Sequence, residues 1–168
     1  LKKYAKHLQN PFSEKDKYIM KQGMDIGKLA RDEFQGGQLI KADNLHPTDA
    51  LEETRLALES GSTVLYEAAF LYNDCFARVD ILKKVDNENW EIIEVKSSTK
   101  VKDVHIPDIA IQKYVLQNTG IKIVKASLMY INRDSISPDY NNLFTIQNLT
   151  KDVEKYENDI EFKLSNYK

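Results

Sequence analysis

The chain predicts an α+β domain, with a mixed central sheet flanked by helices. Three observations carry that expectation. Segments of β-branched and aromatic residues crowd the middle of the sequence, helix-period segments lie before, between and after them, and tight-turn residues separate the first strands. With 168 residues, 42% of them apolar and 30% charged, the chain fits one globular domain, residues 1–168, with a sizeable core. Its first residue is Leu1 rather than Met, which suggests a processed product or a domain cut from a longer protein.

The elements follow in order. Residues 14–35 read as a helix capped by Ser13, with Ile19, Ile26, Leu29, Ala30 and Phe34 as its apolar stripe. Gly36 and Gly37 end it, and Gln38–Ile40 form a short strand or turn. A second helix starts at Thr48 as N-cap and stops at Gly61. Strands at Thr63–Tyr72 and Cys75–Lys84 flank Asn73-Asp74, a two-residue hairpin turn. The polar run Asp86–Asn89 leads to a third strand, Trp90–Ser97. A helix over Ile106–Asn118 closes at Gly120, two strands follow at Lys122–Ile131 and Phe144–Leu149, and Lys151–Leu164 is a final helix.

Composition narrows the chemistry. Cys75 is the sole cysteine, so an internal disulfide, a multi-cysteine zinc site and a four-cysteine iron–sulfur cluster are excluded. No apolar run reaches the roughly 20 residues of a membrane span, and a cytoplasmic location is the default expectation. A net charge of −2 means that any nucleic-acid contact comes from a local basic patch.

The segment Ile93-Glu94-Val95-Lys96-Ser97 holds the chemistry. Glu94 and Lys96 lie two apart, so a strand directs both to one face. The two turns set the register: Glu67 falls opposite Asp80, Asp80 opposite Glu94, and Arg78 opposite Lys96. A row of three carboxylates across adjacent strands is repulsive, and a hard divalent cation with oxygen ligands is the usual reason for one. Asp80, Glu94 and Glu67 supply carboxylate ligands for Mg2+ or Mn2+, and the Val95 carbonyl completes the set. Such an ion acidifies water for attack on a phosphodiester, and Lys96 orients that water or stabilises the transition state. The plainer alternative leaves these charges solvated on the polar face of an antiparallel sheet.

These residues resemble the PD-(D/E)XK nuclease superfamily, in particular its RecB-like and lambda-exonuclease-like branch. The matching pieces are Asp80, then Glu94-Val95-Lys96 on the next strand, then Gln112 on the following helix. The resemblance covers roughly residues 15–132 and implies a restriction-endonuclease-like αβββαβ core. It implies Asp80, Glu94 and the Val95 carbonyl as metal ligands, Lys96 as the catalytic lysine and Gln112 as a residue facing the site or DNA. The chain departs from the branch at two positions. Arg31 stands where the first helix usually offers His, and a guanidinium binds phosphate rather than metal. Leu116 stands where Tyr follows the Gln.

The function expected is metal-dependent hydrolysis of DNA, with Gln112 and Arg31 binding substrate. A partner domain or protein would supply targeting or unwinding. The alternative is a catalytically silent nuclease-fold module for nucleic-acid or protein interaction. His105 reads as a loop or capping residue or as a phosphate contact, and Lys2, Lys3, Lys6 and His7 as a solvated basic segment or a DNA-facing rim.

Overall fold

A computed structural model of the chain describes residues 14–42, 45–135 and 142–165. Ser13 and the basic segment at Lys2–His7 lie outside them. The elements run α1 (Glu14–Asp32), β1 (Gln38–Leu39), α2 (Pro47–Glu59), β2 (Val64–Tyr72), β3 (Cys75–Lys84), β4 (Asn89–Lys96), α3 (His105–Asn118), β5 (Lys122–Ile131), β6 (Phe144–Asn148) and α4 (Thr150–Ser165). The six strands form one sheet in the order β1-β2-β3-β4-β5-β6. It is mixed: β1–β2 and β4–β5 are parallel, the other pairs antiparallel. The α+β class with a helix-flanked mixed sheet is therefore the architecture of the protein.

Local chemistry explains most element ends. Asn73 and Asp74 both adopt left-handed φ, +51° and +62°, as a two-residue hairpin turn between twisted strands demands. The N-terminus of α2 differs from expectation: His46 is the N-cap and Pro47 opens the helix, with Thr48 already inside it. Pro at the first helical position loses only a backbone N–H that would have no helical partner. Helix α1 ends at Asp32, and its expected stripe is narrower, because Leu29 is exposed while Ala30 is fully buried. At Gly37 an added Cβ would collide with the end of the Tyr66 side chain, so a larger residue there would have to displace the Tyr66 ring.

Two apolar layers enclose the sheet. The larger combines Leu65, Leu82 and Ile92 from the strands with residues of α2, α3 and α4. The smaller holds Ala30 and Phe34, from α1 and just beyond, against Tyr66, Ile81, Ile93 and Met129. Truncating a fully buried, paired residue such as Leu82 or Ile92 to Ala should cost about 2–5 kcal/mol. Thr54 of α2 seals the edge of β2. Its hydroxyl donates to the Ala50 carbonyl at 2.8 Å and accepts the Ala69 N–H at 2.9 Å.

The register agrees with the turn-based reading wherever strands pair. Tyr66 lies opposite Ile81 and Ala68 opposite Val79, while Leu82 faces Ile92 and Ile81 faces Ile93. The pairing breaks at the expected carboxylates. Glu67 and Asp80 make no ladder pair, and the β3–β4 ladder stops at Ile81 and Ile93, so Arg78 does not pair with Lys96. Tyr66 and Ile81 pack in the smaller layer, yet Ala68 and Val79, two residues away on each strand, pack in the larger. Regular strands keep such residues on one face. Both strands thus turn over at Glu67 and Asp80.

Candidate functional site

The opening between β3 and β4 creates the site. Past Ile93 the strands no longer bond backbone to backbone, and the Asp80 carboxylate takes over: Oδ2 accepts the Val95 N–H at 2.7 Å. Asp80 lines a cleft of about 590 Å3 between α1 and the sheet, together with Glu67, Val95, Arg31 and Arg78. Burial, reinforced by the negative charge of Glu94, pushes the Asp80 carboxyl up to about 8. One edge of Asp80 faces the cleft, but its surroundings otherwise exclude water. The shift is chiefly that of an acid taken out of water, and the charges of Glu94 and Glu67 add to it.

Glu94 is buried, and partners fix both of its oxygens. Oε1 lies 2.7 Å from Lys96 Nζ, and Oε2 accepts a hydrogen bond from Gln112 Nε2 at 2.8 Å. Helix α3 supplies that contact because it packs on the face where Glu94 and Lys96 emerge. Gln112 Oε1 is buried with no hydrogen-bond partner among the described residues. Lys96 Nζ also lies 3.6 Å from Asp108 Oδ2, one turn before Gln112 on α3. Burial pulls the Lys96 ammonium down, but Glu94, Asp108 and Asp80 outweigh it and hold the group above its ordinary value. Lys96 is therefore a cation at neutral pH.

Glu67 sits apart from this pair. Its φ of +59° is left-handed, a strain of about 1–3 kcal/mol for a non-glycine residue. Its carboxylate is 3.1 Å from Arg78 Nε and 4.0 Å from Arg31 Nη1. Two arginines thus neutralise the carboxylate expected to join Asp80 and Glu94. Among the described residues no three His, Cys, Asp or Glu side chains gather as a metal-holding group. His105 is buried, and its Nδ1 accepts the Lys102 N–H at 3.2 Å, which ties the loop before α3 to the first residue of the helix. Burial, with help from Lys96 and Lys102, lowers its pKa. Leu116 is fully buried in the core, so no polar side chain reaches the site from that position.

Of the expected residues, the structure clusters Glu94, Lys96 and Gln112, sets Asp80 beside them through Val95, and places Arg31 with Glu67 across the cleft. Sequence reasoning missed Asp108 and Arg78 as partners. Asp108 was detectable, because it lies four residues before Gln112 and so shares its helix face. Arg78 was assigned to Lys96 by a ladder that does not extend that far.

No family model matches the chain, and no curated protein matches it. Among solved structures it aligns with one titled "Crystal structure of SSO0001", at 16% identity and a TM-score of 0.32, over 94% of this chain and 81% of that one. A likeness at that score bears on neither fold family nor function. Among the described residues no helix is long and apolar enough to cross a membrane.

Proposed function

We propose that this chain is a restriction-endonuclease-like, metal-dependent deoxyribonuclease that hydrolyses DNA phosphodiester bonds with activated water. One observation supports this reading most. Asp80 lines the cleft where the β3–β4 ladder ends and lies near enough to buried Glu94, on the neighbouring strand, to feel its charge, and the Lys96 ammonium is 2.7 Å from Glu94. The donor set fits a hard divalent cation. Asp80, Glu94 and the Val95 carbonyl offer oxygen only, and a bound cation would offset both the burial of Asp80 and the charge of Glu94 beside it, so that Asp80 binds ionised. These three residues would hold Mg2+ or Mn2+. Such an ion, when bound, lowers the pKa of water and offsets charge on the phosphate.

The remaining work falls to this chain's own side chains. Lys96, kept protonated by its three carboxylate neighbours, stabilises negative charge developing on the phosphate. Gln112 holds Glu94 in one rotamer, and Arg31 binds substrate from α1. Asp108 steadies Lys96 from α3. DNA is the partner, and targeting or unwinding belongs to another domain or protein.

A silent module is the second reading. It is favoured by the engagement of Glu67 with two arginines and of Glu94 with Lys96, which leaves Asp80, of the three, without an ion pair among the described residues. The test is cleavage of labelled single- and double-stranded DNA by the full chain with Mg2+ or Mn2+. Metal-dependent cleavage lost in Asp80→Ala supports the enzyme. Cleavage persisting undiminished in Asp80→Ala refutes the assignment, and no cleavage of either substrate with either metal leaves the silent module.

A further inference from the structure

The arginines around Glu67 have a use that the metal pair does not explain. Lys28, Arg31, Lys41 and Arg78 line the cleft against two carboxylates, Glu67 and Asp80. Cations therefore outnumber anions two to one, in a chain whose total charge is −2. Arg31 is largely buried, with 23% of its side chain exposed, yet it donates no side-chain hydrogen bond among the described residues. Its contact with Glu67, at 4.0 Å, is an ion pair only. A guanidinium in that position has fork-shaped donors suited to a phosphate. Arg78 is oriented instead, with Nε 3.1 Å from Glu67 Oε2 and Nη2 3.3 Å from the Ile40 carbonyl.

The backbone points the same way. Glu67 keeps a strained left-handed φ, and the neighbouring Tyr66 hydroxyl lies against the carbonyls of Arg31 and Phe34. That contact ties the end of α1 to β2, so Arg31 and Arg78 approach Glu67 from two separately anchored elements. Strain of this kind persists only where the surroundings impose it.

We propose that Arg31 and Arg78, spaced by Glu67, form a seat for a nucleic-acid backbone phosphate adjoining the one at Asp80 and Lys96. Glu67 is then a positioning residue for the arginines and not a metal ligand. The identity of the ligand rests on the nuclease-fold reading; the seat itself rests on the cleft.

The test is fluorescence anisotropy of a labelled single-stranded oligonucleotide with the full chain, in EDTA, across a salt series. Arg31→Gln and Arg78→Gln should each weaken binding about 5- to 10-fold, and each should lower the slope of log affinity against log salt by about 0.7. Glu67→Gln is the discriminating variant. It removes a negative charge beside the phosphate, yet it should weaken binding, with Glu67→Asp in between and Mn2+ affinity unchanged. If Arg78→Gln fails to fold, as a melting curve will show, Arg31→Gln and Glu67→Gln carry the test. Tighter binding by Glu67→Gln, loss of its Mn2+ affinity, arginine variants with unchanged affinity and slope, or no binding by the parent chain at about 50 mM salt would each overturn the proposal. Cleavage alongside unchanged arginine variants removes the seat but keeps the nuclease. Arginine-dependent binding without cleavage keeps the seat and removes the nuclease.

Discussion

Strand β4 carries two buried glutamates three residues apart, Glu91 and Glu94, each held by a lysine and a neutral donor, and they differ in that Glu94 acts on a further buried acid, Asp80. Glu91 Oε1 is 2.9 Å from Lys125 Nζ and accepts the Ser127 hydroxyl at 2.7 Å, with Lys83 paired to it across β3. Its neighbours are donors and cations. Glu94 has Lys96 and Gln112, but it also raises the pKa of Asp80 by its own charge. Burial of a carboxylate is common to both, so burial does not identify a site. A second carboxylate without a matching cation does.

That contrast is open to two breaks. The larger concerns cleavage: Lys96→Ala should lower it by at least about 10²-fold, because it removes a charge beside the phosphate. Lys125→Ala, which strips the cation from Glu91 instead, should leave cleavage within about threefold. Equal losses in a single-turnover assay would erase the distinction between the two glutamates.

The second concerns stability, where the signs should differ. Lys125→Ala leaves Glu91 buried with fewer partners, a cost of about 1–3 kcal/mol, or roughly 2–10 °C in the melting midpoint. Asp80→Asn should raise the midpoint by about 3 °C or more at pH 8 without metal. The sign follows from linkage. Asp80 titrates near 8 when folded and about 3.9 when unfolded, so the folded chain holds a proton that the unfolded chain releases. The stability tied to that proton is complete below about pH 4 and is lost as pH rises to about 8. Melting curves of Asp80→Asn and the parent should therefore converge at about pH 4 and diverge towards pH 8. A constant offset at every pH would show that the Asp80 carboxyl is not perturbed.

Much of this was legible beforehand, because hairpin turns and alternation are local. Asn73-Asp74 set the β2–β3 register, and the run from Asp86 set β3–β4, so Asp80 and Glu94 were placed on adjacent strands correctly. The departures arise where tertiary forces override the ladder. No local signal in Tyr-Glu-Ala marks Glu67 as left-handed, and only that kink takes its carboxylate to Arg78 and Arg31. Nor does the strand pattern disclose that the ladder ends at Ile81, since the Asp80 side chain replaces a backbone acceptor for Val95. Thr48 was a sound N-cap by type, but Pro47 opens the helix and the cap falls two residues earlier, at His46.

The most direct measurement is a calorimetric Mn2+ titration at pH 8 of the parent chain, Asp80→Asn, Glu94→Gln and Glu91→Gln. The expected result is one saturable site in the parent, abolished in Asp80→Asn and Glu94→Gln and retained in Glu91→Gln. Absence of binding by the parent, or a loss in Glu91→Gln as large as in Asp80→Asn, would contradict a cation site built on Asp80 and Glu94.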